Sequence, residues 1–216
     1  YFLGIERDIT KEKQIDRAKT EFVSLASHEL RGPLTAINWY AEMMLDKKAE
    51  LPDRFRRNLN EIYRGGQRMT RLIEALLNVS RIELGTFAIN PQPTDLAELS
   101  RKVLKGKAMQ IDEKNITLKK DIAAFPKVKV DPVLMKTILD NLVDNAIKYN
   151  PVGGEIMFTL SKSKDSVIFS VRDTGCGIPK RQQSQIFKKL FRADNASAID
   201  PNGHGLGLYI VKSILE

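Results

Sequence analysis

The chain has 216 residues, 42% of them hydrophobic and 29% charged, with a net charge of +8, a balance that fits a globular chain long enough for two small domains. One cysteine excludes an intrachain disulfide framework and fits a reducing compartment. No signal peptide is evident and no apolar run approaches the roughly 20 residues needed to span a bilayer; the basic residues are scattered among acids, without the long run or aromatic-interleaved patch that would indicate nucleic acid.

The segment thus reads as cytoplasmic, with no direct membrane contact. Beginning at Tyr1 and stopping at Glu216 inside a helical pattern, it reads as part of a longer protein, whose remainder is soluble or membrane-anchored. Residues 1–5 form a short β-prone run, and Asp8 or Thr10 caps the helix that follows. Strand, Asp-Ile-Thr and charged helix resemble the exit from a PAS-type sensor module, which implies a sensor upstream of Tyr1.

Residues 11–46 read as one long helix. Ile15, Ala18, Phe22 and Leu25 recur at steps of three and four, the spacing of an a/d seam, and Ile37, Tyr40 and Met44 continue an apolar face. His28 falls one step off that line, so its imidazole is expected to look outward, with Glu29 beside it. Pro33 lacks the N–H that would bond the Glu29 carbonyl, which predicts a bend just past His28. An exposed imidazole beside an acid on a flexible helix suits a nucleophile; taken alone, it reads first as an ordinary solvated histidine. Residues 47–53 read as a turn and 52–84 as a second helix. Phe55, Ile62, Met69 and Leu76 repeat every seven residues, and Leu59, Leu72, Ile73 and Val79 widen the stripe. Two helices of about 30 residues cannot bury such stripes within one hairpin, so a four-helix bundle with a second copy is expected.

Beyond Gly85, residues 90–94 read as a linker or an edge-strand turn. Residues 95–112 read as a helix with Leu96, Leu99, Val103, Leu104 and Ala108 on one side, and 116–122 and 128–130 as strands. Asp131-Pro132 starts a helix that continues to Tyr149. Residues 155–161 and 166–172 alternate as an antiparallel hairpin with one face under helices. This half is therefore α+β, with helices on one side of a mixed sheet.

Asn141, Asn145, Lys148 and Tyr149 fall mostly on one face of their helix. Amides are poor helix formers, yet their oxygens ligate hard cations such as Mg²⁺, and the lysine adds a charge for phosphates; the bland alternative is a solvated face. In Asp173-Thr174-Gly175-Cys176-Gly177, Gly175 and Gly177 permit close backbone approach to a flat ring, and Asp173 can accept a hydrogen bond from an exocyclic amine. A plain turn fits equally, with Cys176 a small filler. Gly203, Gly205 and Gly207 open the last helix, where exposed N–H groups favour phosphate. The small, polar stretch 193–202 before it fits a mobile lid.

Ser27-His28-Glu29-Leu30-Arg31-x-Pro33-Leu34 resembles the phospho-acceptor box of sensor histidine kinases. Asn-Leu-x-x-Asn-Ala-x-Lys-Tyr, Asp-x-Gly-x-Gly, Ile186-Phe187 with Phe191-Arg192, and Gly-x-Gly-Leu-Gly-Leu follow in the order of the ATP-binding domain that these kinases share with gyrase-type and chaperone ATPases. The resemblance covers nearly the whole chain. It implies an antiparallel helical hairpin forming a dimeric four-helix bundle, followed by an α/β sandwich with a mixed sheet. The divisions expected are the end of a sensor module (1–10), the dimerisation and phospho-acceptor hairpin (11–84), a linker and edge strand (85–94), and an ATP-binding domain (95–216) lacking its C-terminal strands.

By the same resemblance His28 is the phosphorylated residue and Glu29 the acid that orients or deprotonates it. Asn145 is the main Mg²⁺ ligand, supported by Asn141, and Asp173 reads adenine in the loop of Gly175 and Gly177. Lys148, Tyr149, Gly203, Gly205 and Gly207 line the phosphate and lid region, and Arg192 reaches the phosphates. The activity implied is ATP-dependent autophosphorylation of His28 and transfer to an aspartate on a response-regulator receiver domain, in a homodimer whose sensor rotates or bends the first helix. Two residues depart from the family pattern. Gly32 stands where members that dephosphorylate their regulator carry Thr or Asn, and Leu190 stands where a second Phe is common. Two alternatives stay open: a non-kinase ATPase or ATP-dependent switch of the same superfamily, and a catalytically silent dimeric scaffold.

Overall fold

The computed structural model describes the backbone of residues 10–45, 51–83, 89–164, 166–201 and 203–216, and their side chains except at 10–22, 24, 28, 82 and 83. The expected strand at 1–5, residues 47–50 of the turn expected over 47–53 and the outward aim of His28 fall outside the described residues. The chain forms two compact units, Tyr1–Phe87 and Ala88–Glu216.

The first unit is a hairpin of two helices, α1 (Thr10–Met44) and α2 (Asp53–Glu83). Helix α1 runs on through Pro33, so that proline lies inside one helix and not at its end. Leu34 packs with Ile73 and Leu77 in a small apolar cluster, and Ala41 is buried one turn-pair further on. Beside them Asn38 donates to the Thr70 hydroxyl at 3.3 Å, and that hydroxyl donates to the Gly66 carbonyl at 3.1 Å. A Cβ on Gly66 would come within 1.9 Å of Asn38 Oδ1, so the missing side chain is what lets the amide fit between the helices. The heptad residues Phe55, Ile62 and Met69 remain half exposed or more, as do Leu25 and Tyr40, and Ile37 and Met44 are nearly so. One copy of the hairpin leaves a continuous apolar face uncovered.

The second unit has two sheets. Strand β1 (Gln92–Thr94) pairs antiparallel with β3 (Val128–Val130) in a short ribbon. Strand β2 (Thr117–Ile122) runs parallel to β4 (Glu155–Ser163), which is antiparallel to β5 (Ser166–Asp173). The three-stranded sheet is thus mixed, in the order β2-β4-β5. Along β4, Ile156, Phe158 and Leu160 are fully buried and face Leu139, Val143, Ala146 and Ile147 of helix α5 (Pro132–Tyr149). Along β5, Val167, Phe169 and Val171 pack on the same core while Ser166, Ile168 and Ser170 look outward. Period-two burial on the strands meets period-3.6 burial on the helix, which forms a single core.

One expectation is corrected here. The helix expected over 95–112 is two helices, α3 (Leu96–Gly106) and α4 (Ala108–Glu113). Gly106 is a poor helix former, and Lys107 leaves helical geometry at φ −101°, ψ 1°. Its ammonium is held at 2.7 Å from Asp144 and 3.5 Å from Asp140 of α5, so the break aims a cation at that helix. Within the stretch expected to be a lid lies a short helix, α6 (Asp194–Ile199), before α7 (Gly207–Leu215).

The start of α5 follows its sequence signal. Asp131 Oδ1 accepts from the Val133 and Leu134 amides at 2.8 and 3.1 Å, and Oδ2 accepts from the Asn90 amide at 2.9 Å. The Asn90 bond above all holds this carboxyl below its ordinary value of 3.8, with help from the Leu134 and Val133 bonds and against an opposing effect of burial. A depressed folded pKa means that the cap stabilises above the ordinary value and fades as pH falls through the lowered one. Asp131→Ala is expected to cost about 1 kcal/mol at neutral pH, in urea unfolding of the second unit, with the gap to wild type closing in acid. Leu139→Ala removes a fully buried side chain and should cost about 3 kcal/mol, while Leu139→Met stays under about 1.5 kcal/mol.

Candidate active site

Helix α5 turns its apolar side to the sheet, which leaves Asn141, Asn145, Lys148 and Tyr149 half-buried on the rest of its surface. The first turn of α7 lies against this amide face. The Asn141 amide donates to the Thr137 carbonyl at 2.8 Å, and a Cβ on Gly207 would sit 2.6 Å from Asn141 Oδ1. The glycine therefore brings the N-terminus of a helix, with its outward N–H groups, up to the amide row. Leu206, Ile210 and Val211 are buried and hold α7 in place.

The loop after β5 rests on the other end of α5. Asp173 Oδ1 accepts from the Gly175 amide at 2.8 Å, a local Asx turn. A Cβ on Gly175 would come within 2.5 Å of the Tyr149 carbonyl oxygen, and the Cys176 amide donates to that oxygen at 3.2 Å. Only a residue without a side chain lets this loop lie on the helix end. Gly177 follows with φ +64°.

Residues that sequence reasoning passed over complete this corner. Asn150 is buried. It donates to the Glu155 carbonyl at 2.9 Å and accepts from the Thr174 hydroxyl at 3.0 Å, while the Glu155 amide donates to that hydroxyl at 2.9 Å. The end of α5, the start of β4 and the end of β5 are thus joined through two side chains. The signal was present: an Asn-Pro directly after a helix marks a buried cap as readily as a surface turn.

The lid is organised by contacts of its own. Asn195 on α6 donates to the carbonyls of Cys176 and Gly177 at 3.1 and 2.9 Å, Arg181 pairs with Asp194 at 2.9 Å, and the Asp194 amide donates to Gln182 Oε1 at 3.2 Å. Arg192, expected on the phosphate side, instead donates to the lid carbonyls of Ala196 and Pro201, each at 3.2 Å, and of Asp200. Lys148 pairs with the Asp200 carboxylate and lies 5.3 Å from the centre of the Tyr149 ring. Gly205, at φ +66°, passes under the Phe191 carbonyl, and Leu190 takes the left-handed conformation at φ +62°. Gly203 abuts the Arg192 guanidinium and the Asp200 carboxylate.

The structure therefore places Asn141, Asn145, Lys148 and Tyr149 on α5, brings Gly207 to Asn141 and the Asp173–Gly175 turn to Tyr149, and sets Gly203 and Gly205 against the lid residues Asp200, Arg192 and Phe191. His28 and the exposed Glu29 lie on α1, in the first unit. Among the described residues no group of three or more His, Cys, Asp or Glu side chains could hold a metal ion, and no helix is long and apolar enough to cross a membrane.

Residues 18–85 match the His Kinase A (phospho-acceptor) domain, and residues 130–216 match the histidine kinase-, DNA gyrase B-, and HSP90-like ATPase. Sensor protein SrrB of Staphylococcus aureus (strain N315) is 31% identical over 210 residues, which is 97% of this chain and 36% of SrrB; the chain spans little over a third of that relative. Full-length ShkA, solved in complex with AMPPNP, superposes with a TM-score of 0.70 at 26% identity, over 90% of this chain and 40% of its own. The histidine kinase ThkA in complex with the response regulator protein TrrA shares the fold, with a TM-score of 0.57 at 24% identity, over 88% of this chain and 57% of its own. A phospho-acceptor hairpin followed by an ATPase domain of this type, together with likeness to a sensor kinase over 97% of its length, places this chain in the histidine kinase family, as a catalytic core.

Proposed function

We propose that this core binds Mg·ATP on the α5 face of the second unit, transfers the terminal phosphoryl group to His28, and passes it to an aspartate of a response-regulator receiver domain. The observation that carries the reading is the convergence on one helix, α5, of an amide pair, a glycine-opened helix N-terminus at Asn141 and a carboxylate-bearing loop at Tyr149. A nucleotide needs these three kinds of group: donors for phosphate, oxygen ligands for its cation, and an acceptor for its base.

The donor set fits the implied groups. The Asp173 carboxylate, at the exposed rim of the loop, accepts from the adenine amine, and Gly175 lets the base lie close to the backbone. The N–H groups opening α7 at Gly205 and Gly207 face phosphate, with Lys148 as the neighbouring cation. Mg²⁺ commonly takes one or two protein oxygens and fills its octahedron with phosphates and water, so Asn145, supported by Asn141, suffices where no acidic cluster exists. When bound, that ion neutralises charge developing on the phosphate oxygens.

A ring nitrogen of neutral His28, available near pH 7 because the ordinary pKa is about 6.5, attacks the γ-phosphorus. The nitrogen–phosphorus bond forms as the bond to the β,γ-bridging oxygen breaks, ADP leaves with that electron pair, and Glu29 orients the ring or takes its proton. Positioning and charge neutralisation supply most of the acceleration in such transfers.

The uncovered face of the hairpin, on which Leu25 is 64% and Phe55 59% exposed, supports pairing with a second copy into a four-helix bundle. An upstream sensor would then act through α1, and the receiver domain would dock where His28 is presented. ThkA's complex with a response regulator supports the second of these assignments.

Incubation with γ-labelled ATP should give acid-labile label on the wild type and none on His28→Ala. Turnover of ATP that survives His28→Ala would instead favour a non-kinase ATPase. Asp173→Asn should weaken ATP binding about tenfold or more, measured by calorimetry. Position 32 is open, with nothing within 4 Å of a Cβ there, so Gly32→Thr can be accommodated sterically. Wild type is expected to dephosphorylate a phosphorylated cognate regulator weakly and Gly32→Thr faster, in a phosphate-release assay.

A further inference from the structure

Helix α5 ends without the left-handed turn that commonly satisfies the last carbonyls of a helix. Its C-cap, Asn150, is extended at φ −79°, ψ 142°. The carbonyls at this end are met from elsewhere. Lys114, just after α4, sends its ammonium to the carbonyls of Ile147 at 2.9 Å, Lys148 at 2.8 Å and Asn150 at 3.1 Å. An ammonium has three N–H donors, and here each has a backbone acceptor. The carbonyl these bonds skip, that of Tyr149, accepts from the Cys176 amide at 3.2 Å. One cation and one loop amide thus share a single helix end. The chain also closes on itself around them: the Gly153 amide donates to the Lys114 carbonyl at 2.9 Å.

We propose that Lys114 is a positioning residue for nucleotide binding: by clamping the carbonyls of Ile147, Lys148 and Asn150, it fixes the shelf on which the Asp173–Gly177 loop lies and so sets where the Asp173 carboxylate meets the base. The inference rests on the functional reading above. Lys114 touches no nucleotide; it acts through Tyr149 and the Cys176 amide. The positive charge suits the negative end of the helix, and a neutral side chain of similar length leaves three carbonyls in search of donors. Those carbonyls then turn toward water, the helix end frays, and the Cys176 bond opens with it. The damage is local because the deeper core of α5, at Leu139 and Val143, lies a turn or more before the clamped carbonyl of Ile147.

The test compares wild type, Lys114→Met, Lys114→Gln, Lys114→Arg and Asp173→Asn as the full chain, using calorimetric binding of ATP, labelling of His28 and amide hydrogen exchange. Lys114→Met is expected to bind ATP about tenfold more weakly, with the labelling rate at saturating ATP within about twofold of wild type. The Cys176 amide should exchange faster while the β4 and β5 amides stay protected, and Lys114→Arg should restore most of both. Lys114→Gln, which keeps a donor, reports in place of Lys114→Met should the latter lose β4 and β5 protection. Unchanged ATP affinity in a folded Lys114 variant overturns the proposal, and so does a weakened affinity with Cys176 exchange as slow as in wild type. Failure of wild type to bind ATP, or indifference of binding to Asp173→Asn, removes the functional reading instead, and the exchange of Cys176 still decides whether Lys114 holds the loop.

Discussion

The second unit depends on one helix being buried and polar at once. Helix α5 must cover the sheet with Leu139, Val143, Ala146 and Ile147, and it must keep two amides and a lysine on its other faces. A fully apolar helix would pack as well, and a fully solvated one would present the same groups, but neither could hold them still. Burial of one side to the level of a protein interior fixes the rotation of the helix about its axis. The amide row can then face α7 at a separation that leaves no room for even a methyl group on Gly207. The rigidity of the site is borrowed from the core behind it.

The hairpin meets the opposite problem. Among the described residues its two helices share a short apolar cluster, Leu34 with Ile73 and Leu77, while Leu25, Tyr40, Phe55, Ile62 and Met69 stay half exposed or more. A polar contact, Asn38 with Thr70 and the Gly66 carbonyl, lies between the helices. Such a group is a poor source of stability and a good source of register, because sliding the helices by a turn would leave the amide facing apolar neighbours. Apolar area is tolerant of small shifts, while one buried amide distinguishes between them.

Some of this was legible in the sequence. Asp131-Pro132, the alternation over 155–161 and the ends of both long helices within two residues read correctly, because each depends on local chemistry: a cap, a period, a breaker. What escaped depended on partners distant in the chain. The break at Lys107 answers two aspartates on α5, more than 30 positions away. Asn150 was passed over and Thr174 stood only inside a possible turn, because their hydrogen bonds run to each other and to Glu155 across three elements. The contacts of Arg192 with the carbonyls of Ala196, Asp200 and Pro201 were likewise not announced by its place in a motif.

The lid contacts matter for the proposed function. Lys148 carries the charge that the proposed reading gives to phosphate, and the structure pairs it with Asp200, a carboxylate at the lid's own end. The pair is partly exposed on both sides, so solvent screening keeps it weak, and on the proposed reading a multiply charged phosphate outcompetes the carboxylate. Arg192 meanwhile grips the carbonyls of Ala196, Asp200 and Pro201, which ties the backbone of the lid together. On that reading the lysine is the group whose partner changes and the arginine the one whose partners do not.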